Sequence, residues 1–406
     1  MLWIYLFILH IIILFWNCKI KGVSSFNKDF NSQYVTKCLR GFCALGVFIH
    51  QLVIGGVKAD FDIFEIYRYL GYTYVSFFLF FSGYGLMKSL LTKKNYLQTF
   101  FKKRFLTILI PYYIINIISA IILLSTNEFY GTGYLIKNKR TKKDIILTFL
   151  GIYTANGQYW FVIELLILYI LFYISHKIFP KNKSLLINII LIFIIVLIGR
   201  SLPIHDKREY WFSYVNYYES IMAFPYGMII SNYENSIVKF VQNEKVYYFI
   251  LIIFGLLGFT LTGLEVKIEK NNISKGLYEF HNYFTSYKTF FFRFSLQSLA
   301  VITLISFIFL LTMKVKIGNK LLEYYGDLSY EFYLVEKLSY RPLNYKHIIV
   351  KGYYEYYCIL ALIVTTKYAS LFQMLNHKIF NLIQYKKINE IQTLPENEES
   401  TSSNKN

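Results

Sequence analysis

The chain has 406 residues, of which 55% are hydrophobic and 17% are charged, and its formal net charge is +19. A soluble domain carries about 25% charged residues, so this composition excludes an ordinary soluble protein. The positive charge would also suit a nucleic-acid-binding protein, but the basic residues lie in loops between long apolar runs. We therefore expect a lipid bilayer, and no nucleic acid, as the partner of this chain.

Apolar runs of about the 20 residues that cross a bilayer core recur along the chain and predict transmembrane helices. There are eleven, of which the seventh and tenth are short. In chain order they are Met1–Trp16, Leu39–Val57, Tyr69–Leu91, Phe105–Leu124, Trp160–Phe179, Leu185–Leu202, Tyr218–Ser231, Tyr247–Leu264, Phe292–Met313, Leu328–Tyr340 and Tyr353–Leu375. The expected fold class is all-α, a polytopic transmembrane helical bundle.

The basic loops predict the orientation, because segments rich in Lys and Arg stay on the cytoplasmic side. Thr92–Arg104 has five Lys or Arg and no acid, so we expect it in the cytoplasm. Alternation then places Ser125–Tyr159 outside, although Lys137–Lys143 within it is basic. The N-terminus is expected outside the cell and the C-terminus in the cytoplasm.

These runs divide the chain into four parts. Residues 1–17 are expected to form an extra N-terminal transmembrane helix, because the run lacks the basic start and cleavage site of a signal peptide. Residues 18–38 form a basic cytoplasmic loop, and residues 39–385 form the main transmembrane domain. Residues 386–406 are polar enough to be a disordered cytoplasmic tail.

The stretch Leu39–Gln51 (LRGFCALGVFIHQ) has an arginine and a histidine at the ends of an apolar helix. Ten helical residues correspond to roughly 15 Å, so Arg40 lies at the cytoplasmic surface and His50 near mid-membrane depth. Arg40 could simply extend its charge to the interface. An ionisable group at the depth of His50 indicates function, although a neutral histidine bonded to a neighbouring helix also fits.

Polar residues also occur in Phe81–Leu86 (FSGYGL), which contains Ser82, Tyr84 and two glycines that allow close helix approach. Helix packing alone would explain this stretch equally well. The next predicted helix begins at Arg104, directly after two lysines.

Four acidic or aromatic positions lie further along the chain. Tyr159 and Trp160 suit an aromatic belt at the external interface, and Glu164, one turn inside, would need a partner if it is buried. Gly326–Leu338 (GDLSYEFYLVEKL) contains Glu336, which could also lie on the solvated face of an interfacial helix.

Six pieces of the sequence resemble, in this order, the motifs of the membrane-bound acyltransferase 3 family, which O-acylates cell-surface and secreted sugars. They are LRGFCALGVFIHQ, SFFLFFSGYGLMKSLL, YLQTFFKKRFLTILIPYY, GQYWFVIELLILY, AFPYGMII and LSYEFYLVE, and together they span about residues 35–375. The resemblance implies a core of about ten helices in a bacterial cytoplasmic membrane, to which Met1–Trp16 adds one N-terminal helix.

Two positions depart from the family pattern. Many members place the histidine eleven residues after the basic residue, where this chain has Gln51. The histidine here stands one position earlier, and one helical residue is about 100° of rotation. The last motif commonly ends in histidine, where this chain has Glu336.

The resemblance implies an acyl-CoA donor, most simply acetyl-CoA, and a glycan hydroxyl as acceptor, with no metal. Basic side chains would bind the donor phosphates by charge-assisted hydrogen bonds, and His50 would take the proton from the attacking hydroxyl. The donor site is assigned to Arg40, Lys102, Lys103, Arg104, Ser82 and Tyr84. The acceptor site is assigned to Gln51, Tyr159, Trp160, Tyr330 and Tyr333. The alternative candidates for the catalytic base are Glu164 and Glu336.

A transporter or flippase for a lipid-linked sugar would also place polar groups inside the bundle. Transporters often contain inverted repeats, and this sequence shows no such symmetry. A structural role fits less well with buried ionisable groups. Acyl transfer is therefore the function that the sequence favours.

Overall fold

The computed structural model describes residues 2–22, 25–54, 62–126, 142–201, 220–274, 287–340 and 354–392. Within these residues the chain forms thirteen α-helices, two 3-10 helices and one sheet of two short strands. Each strand has two residues, so the expected all-α class is confirmed.

The helices follow the predicted apolar runs. In chain order they are α1 (Leu2–Phe15), α2 (Gln33–Ile54), α3 (Asp62–Thr92), α4 (Phe100–Thr126), α5 (Lys142–Phe149), α6 (Trp160–Ile178), α7 (Lys181–Ser201), α8 (Ala223–Asn232), α9 (Glu234–Val241), α10 (Glu244–Ser274), α11 (Tyr287–Lys314), α12 (Lys320–Tyr340) and α13 (Tyr354–Gln392). The strands are β1 (Lys19–Ile20) and β2 (Val315–Lys316), and the 3-10 helices are Tyr96–Thr99 and Gly157–Tyr159.

Eight helices in the described part of the chain are long and apolar enough to cross a membrane, namely α2, α3, α4, α6, α7, α10, α11 and α13. The protein is therefore an integral membrane protein. Three further predicted spans form helices that fall outside these criteria. They are α1 with 14 residues, α8 with 10 and α12 with 21.

The segment between α1 and α2 is attached to the bundle. Strand β1 pairs antiparallel with β2, and the ammonium of Lys314 donates a hydrogen bond of 3.0 Å to the carbonyl of Ser25. Helix α2 begins at Gln33 rather than at Leu39, so part of the predicted basic loop is helical. At the other end of the chain α13 continues to Gln392, so residues 386–392, which were predicted as the start of a disordered tail, are helical. Residues 393–406 of that tail lie outside the described residues.

Helices α2 and α12 run parallel and touch through their backbones. A Cβ atom at Gly41 would overlap the carbonyl oxygen of Leu322, and one at Gly326 would overlap the carbonyl oxygen of Lys37. Further along both helices the ring centroids of Phe48 and Phe332 are 5.4 Å apart. The two glycines allow this approach, which larger residues would prevent.

Candidate functional site

A cavity of about 730 Å³ lies between α2, α3, α4, α6 and α12. Its volume is within the range of about 300–1,000 Å³ that is typical of small-molecule sites. At one end, called the basic end below, the walls include Lys37, Arg40, Lys88, Lys93 and Arg104. Apolar side chains follow, including Val47, Phe78 and Phe161, and the walls also include Tyr330, Tyr333 and Glu336.

The basic end contains two kinds of cation. Lys37 lies 2.9 Å from Asp327 and Lys88 lies 2.6 Å from Glu234, so both lysines are ion-paired. No described carboxylate lies within 4 Å of Arg40 or Arg104, although the two guanidinium groups are close enough to interact electrostatically. Two positive charges that lie close together in a cavity wall, without a carboxylate partner among the described residues, favour the binding of an anion.

The two arginines differ in their remaining contacts. The Nε atom of Arg40 is buried without a hydrogen-bond partner among the described residues, whereas Nε of Arg104 donates to the hydroxyl of Tyr96 at 3.1 Å. Lys102 and Lys103, which the sequence placed in the same basic cluster, are exposed, and the described walls of the cavity do not include them. Of the cluster, the structure therefore brings only Arg104 to the cavity.

Tyr84 and Lys88 meet Glu234 of α9 at the basic end. The hydroxyl of Tyr84 donates to Glu234 at 2.7 Å, and the amide of Asn31 bonds to both residues. Sequence reasoning missed Lys88 and Glu234. Lys88 follows Tyr84 by four positions, a spacing that puts two side chains on one helix face, so the helical period would have identified it.

The two glycines that follow Ser82 have different surroundings. A Cβ atom at Gly83 would overlap the carbonyl oxygen of Phe224, so this glycine allows α8 to pack on α3. A Cβ atom at Gly85 would meet no described atom within 4 Å, and Gly85 lines the cavity together with Ser82. The expected close helix approach is thus found at Gly83, while Gly85 leaves space beside the basic end.

His50 is directed at α3. Its Nδ1 donates a hydrogen bond of 2.7 Å to the carbonyl of Tyr67, and its ring fills the space beside Gly71, where a Cβ atom would overlap it. With Nδ1 as the donor, a neutral imidazole keeps the lone pair on Nε2, and that nitrogen lies against the backbone at Gly71. The described cavity walls do not include His50.

The helical period explains this placement. The α2 residues Arg40, Ala44 and Val47 line the cavity and have the spacing of one helix face. Gln51 is eleven residues from Arg40, about 20° from the same face, whereas His50 is about 80° away from it. Gln51 thus continues the line of the cavity wall, although the described lining of the cavity ends at Val47 on this helix.

The two buried glutamates are placed differently. Glu336 and Glu164 are each only 1% exposed. Both side-chain oxygens of Glu164, and Oε1 of Glu336, have no hydrogen-bond partner in the part of the chain that the structure describes. Glu336 lines the cavity, and the described lining does not include Glu164. The solvated position considered for Glu336 is therefore wrong.

Glu336 lies toward the inner end of the cavity, the end away from the basic side chains. Gly326 of α12 contacts Lys37 at the basic end, and Glu336 lies ten residues further along the same helix, a rise of about 15 Å. The contact between Phe48 and Phe332 places the same part of α12 beside the second half of α2.

The aromatic residues assigned to the acceptor lie around this inner end. The hydroxyl of Tyr330 donates to the carbonyl of Ile108 at 2.8 Å, and that of Tyr333 donates to the carbonyl of Gln158. Both tyrosines line the cavity. Tyr159 is fully buried and bonds to the carbonyl of Leu334 at 3.1 Å, and the described lining includes neither Tyr159 nor Trp160.

Residues 150–156 form a non-helical segment that packs along α4. The side chain of Asn116 donates to the carbonyl of Thr148 at 2.8 Å and to that of Tyr153 at 3.2 Å. It also accepts a bond of 2.7 Å from the amide of Ala155. Non-helical backbone at membrane depth needs such partners, and the segment leads directly to the Gln158 carbonyl that binds Tyr333.

The chain is similar to a known protein family over most of its length. A family model described as an acyltransferase domain matches residues 36–372. This range includes every residue that lines the cavity except Asn31 and Gln33. Neither a search of curated proteins nor a search of solved structures gave a match.

Proposed function

The chain belongs to the acyltransferase 3 family, and from this membership we propose that it transfers an acyl group, most simply acetyl, from cytosolic acyl-CoA to a glycan hydroxyl. The acceptor would be a cell-surface or exported glycan. The observation that carries the proposal is a cavity whose basic end has two arginines without an acidic partner among the described residues.

The basic end supports a polyanionic donor. Coenzyme A carries its phosphates at one end and its thioester at the other. Arg40 and Arg104 repel each other when no anion is present, and a phosphate between them would replace this repulsion with charge-assisted hydrogen bonds. Lys93, which is exposed at the rim of the cavity, adds a further positive charge.

The middle of the cavity supports the rest of the donor. Val47, Phe78 and Phe161 form an apolar wall along which the extended pantetheine arm can lie. The rise of about 15 Å from Gly326 to Glu336 is a distance that an extended arm can span. The thioester would then lie near Tyr333 and Glu336.

The inner end supports an acceptor that arrives from the opposite side of the membrane. The segment 150–156 and the carbonyl of Gln158 lie there, held by Asn116 and Tyr333. A donor entering at the basic end and an acceptor entering near this segment would meet at the inner end, so neither substrate blocks the other.

Filling the space beside Gly85 tests the proposal. The variant Gly85→Leu would place a branched side chain in the cavity, whereas Gly263→Leu makes the same change on the exposed surface of α10, where a Cβ atom also meets no described atom within 4 Å. A leucine side chain would occupy space that the donor needs, so Gly85→Leu should weaken CoA binding by about tenfold or more, or about 1.4 kcal/mol.

The measurement combines CoA binding to purified protein with transfer from radiolabelled acetyl-CoA to envelope glycans from cells that lack the gene. Gly263→Leu should match the wild type in both. Equal CoA affinity in the two variants would contradict a donor site in this cavity. Movement of glycan across the membrane without acyl transfer would instead show a transporter.

A further inference from the structure

We infer that Glu336 is the proton acceptor of the transfer reaction, the group that takes the proton from the attacking glycan hydroxyl. This inference rests on the proposed function and adds to it the residue that performs the acid–base chemistry. In the family resemblance that role falls to the histidine of α2, but in this chain the geometry points to the carboxylate of α12.

The first observation is the position of the carboxylate. Glu336 lines the cavity at its inner end, on the α12 face that also carries Ser329 and Tyr333. These three residues have the spacing i, i+4 and i+7, which places them on one face of a helix. A donor that is held by its phosphates at the basic end would present its thioester to this face.

The second observation is the unsatisfied oxygen. Oε1 of Glu336 has no hydrogen-bond partner among the described residues, and the side chain is 1% exposed. A buried polar atom without a partner is costly, and native proteins rarely keep one without a function. The hydroxyl of a glycan in the cavity would supply the missing donor, and it is the group whose proton must be removed.

The third observation is the position of the other candidates. His50 donates from Nδ1 to the carbonyl of Tyr67, and its Nε2 lies against Gly71 on α3, so neither nitrogen is directed into the cavity. Glu164 is as deeply buried as Glu336, but the described cavity lining does not include it. Gln51 lies on the correct face of α2 but has no group that can take a proton.

The step balances with a carboxylate in this role. The hydroxyl oxygen of the glycan attacks the thioester carbonyl carbon while its proton moves to the carboxylate of Glu336. The tetrahedral intermediate then collapses, the C–S bond breaks, and the CoA thiolate takes the proton back from the Glu336 carboxyl group. The products are an O-acyl glycan and free CoA, and Glu336 returns to its starting state.

In this account His50 is a positioning residue. Its hydrogen bond to Tyr67 fixes α2 against α3, and these two helices carry the cavity-lining residues Arg40 and Ser82. Substitution of His50 should therefore affect donor binding and stability together, whereas substitution of Glu336 should affect the chemical step alone.

The experiment compares Glu336→Gln and Glu336→Asp with Glu164→Gln in purified full-length protein in bilayer nanodiscs. Glu164→Gln is the matched comparison, because it makes the same chemical change at an equally buried glutamate outside the cavity. Three quantities are measured: CoA binding, acetyl transfer from acetyl-CoA to envelope glycans of cells without the gene, and acetyl transfer to hydroxylamine. Hydroxylamine attacks a thioester through a free nitrogen lone pair and needs no general base.

Glu336→Gln should lower transfer to the glycan by about 10²-fold or more, as expected for the loss of a general base. It should keep CoA binding and transfer to hydroxylamine. A structural defect would lower both readouts, so their retention distinguishes the loss of the base from misfolding. Glu336→Asp should recover part of the glycan transfer, and Glu164→Gln should lower that transfer much less than Glu336→Gln does.

Several results would overturn the inference. Full glycan transfer by Glu336→Gln, or equal losses toward the glycan and hydroxylamine, would remove Glu336 from the proton transfer. Loss of glycan transfer in His50→Ala, with CoA binding and hydroxylamine transfer intact, would assign the base to His50 instead. A wild-type protein that acetylates neither acceptor would contradict the proposed function itself, which separates that failure from the failure of this inference.

Discussion

Arg40 and Arg104 have an environment that differs from that of ordinary membrane-surface cations. An arginine at a helix end normally extends its charge to water. Arg40 is instead partly buried, and its Nε atom is buried without a hydrogen-bond partner among the described residues. Asp327, an acid close enough to interact with Arg40, already pairs with Lys37 at 2.9 Å. The guanidinium of Arg40 thus keeps donors that a phosphate can use.

At this scale we predict that Arg40→Ala weakens CoA binding by about 10- to 100-fold, because a hydrogen bond to a charged group contributes about 1.5–3 kcal/mol. Arg40→Lys should keep part of the affinity, since lysine binds phosphate as a point charge. Lys103→Ala removes the same charge at an exposed position outside the cavity and should have a much smaller effect. Titration calorimetry with CoA measures all three, and unchanged affinity in Arg40→Ala would exclude Arg40 from the site.

The residues of the site could be predicted only in part. Arg40, Arg104, Ser82, Tyr84, Tyr330 and Tyr333 were identified from motifs, and all of them line the cavity. The role of the α2 histidine could not be settled from the motif, because one residue of helix turns a side chain by about 100°. The sequence assigned the base to His50, and only the neighbouring helix shows that this ring contacts α3.

Among the elements, the segment between α5 and α6 leads to the carbonyl that anchors Tyr333 of the cavity wall. It is not helical, and a single side chain, Asn116, satisfies two of its backbone groups and the carbonyl of Thr148 at the end of α5. The hydroxyl of Tyr112 adds a bond of 3.1 Å to the carbonyl of Gly151. The position of Gln158, and with it the anchor of Tyr333, therefore depends on α4.

We predict that Asn116→Ala lowers acyl transfer to the glycan while CoA binding stays unchanged, because the segment lies away from Arg40. Each buried backbone group left without a partner costs about 1–3 kcal/mol, so the segment should loosen. Asn188→Ala, which removes a buried asparagine bonded to Ser175 at the α6–α7 contact, is the control and should keep transfer. A parallel loss of CoA binding in Asn116→Ala would show that the damage spreads through the bundle.

The long membrane helices were predictable because an apolar run of sufficient length has few alternatives to a helix in a bilayer. The folded segment after α5 was not, since its sequence reads as a loop and its partner Asn116 lies far away in α4. A single asparagine inside an apolar helix was the available signal. The start of α2 at Gln33 also escaped prediction, because polar residues can begin a helix before its apolar part.

For the whole molecule, several basic residues lie near the basic end of the cavity. Lys93 and Lys94 lie at the end of α3, Lys103 lies at the start of α4, and the β1–β2 pair brings Lys19 opposite Lys316. The basic end of the cavity opens on this side. The positive-inside rule predicts that this end faces the cytoplasm, which the proposed function requires for an acyl-CoA donor.

The orientation can be measured at the two ends of α4. In a background without the four native cysteines, Lys94→Cys should react with an impermeant thiol reagent only after the cells are permeabilised. Ser125→Cys should react on intact cells, because about 1.5 Å of rise per residue carries α4 across the membrane between these positions. Both positions are exposed in the structure. Labelling of Lys94→Cys, but not of Ser125→Cys, on intact cells would reverse the orientation and place the basic end outside.

The order of the helices along the sequence could be predicted, but the cavity could not. Its walls come from five helices, and the sequence gives no distance between α2 and α12. Only the packing shows that Gly41 and Gly326 bring these two helices into backbone contact.

This backbone contact has a consequence for substrate selection. Because α2 and α12 touch at Gly41 and Gly326, the spacing between Arg40 and Glu336 is fixed by two helices that cannot slide apart without losing that contact. Under the proposed function, this fixed spacing must match the length of the donor from its phosphates to its thioester. A thioester on a shortened arm would bind the apolar wall yet stop short of the carboxylate, so the length of the carrier, rather than the acyl group, would decide which donors react.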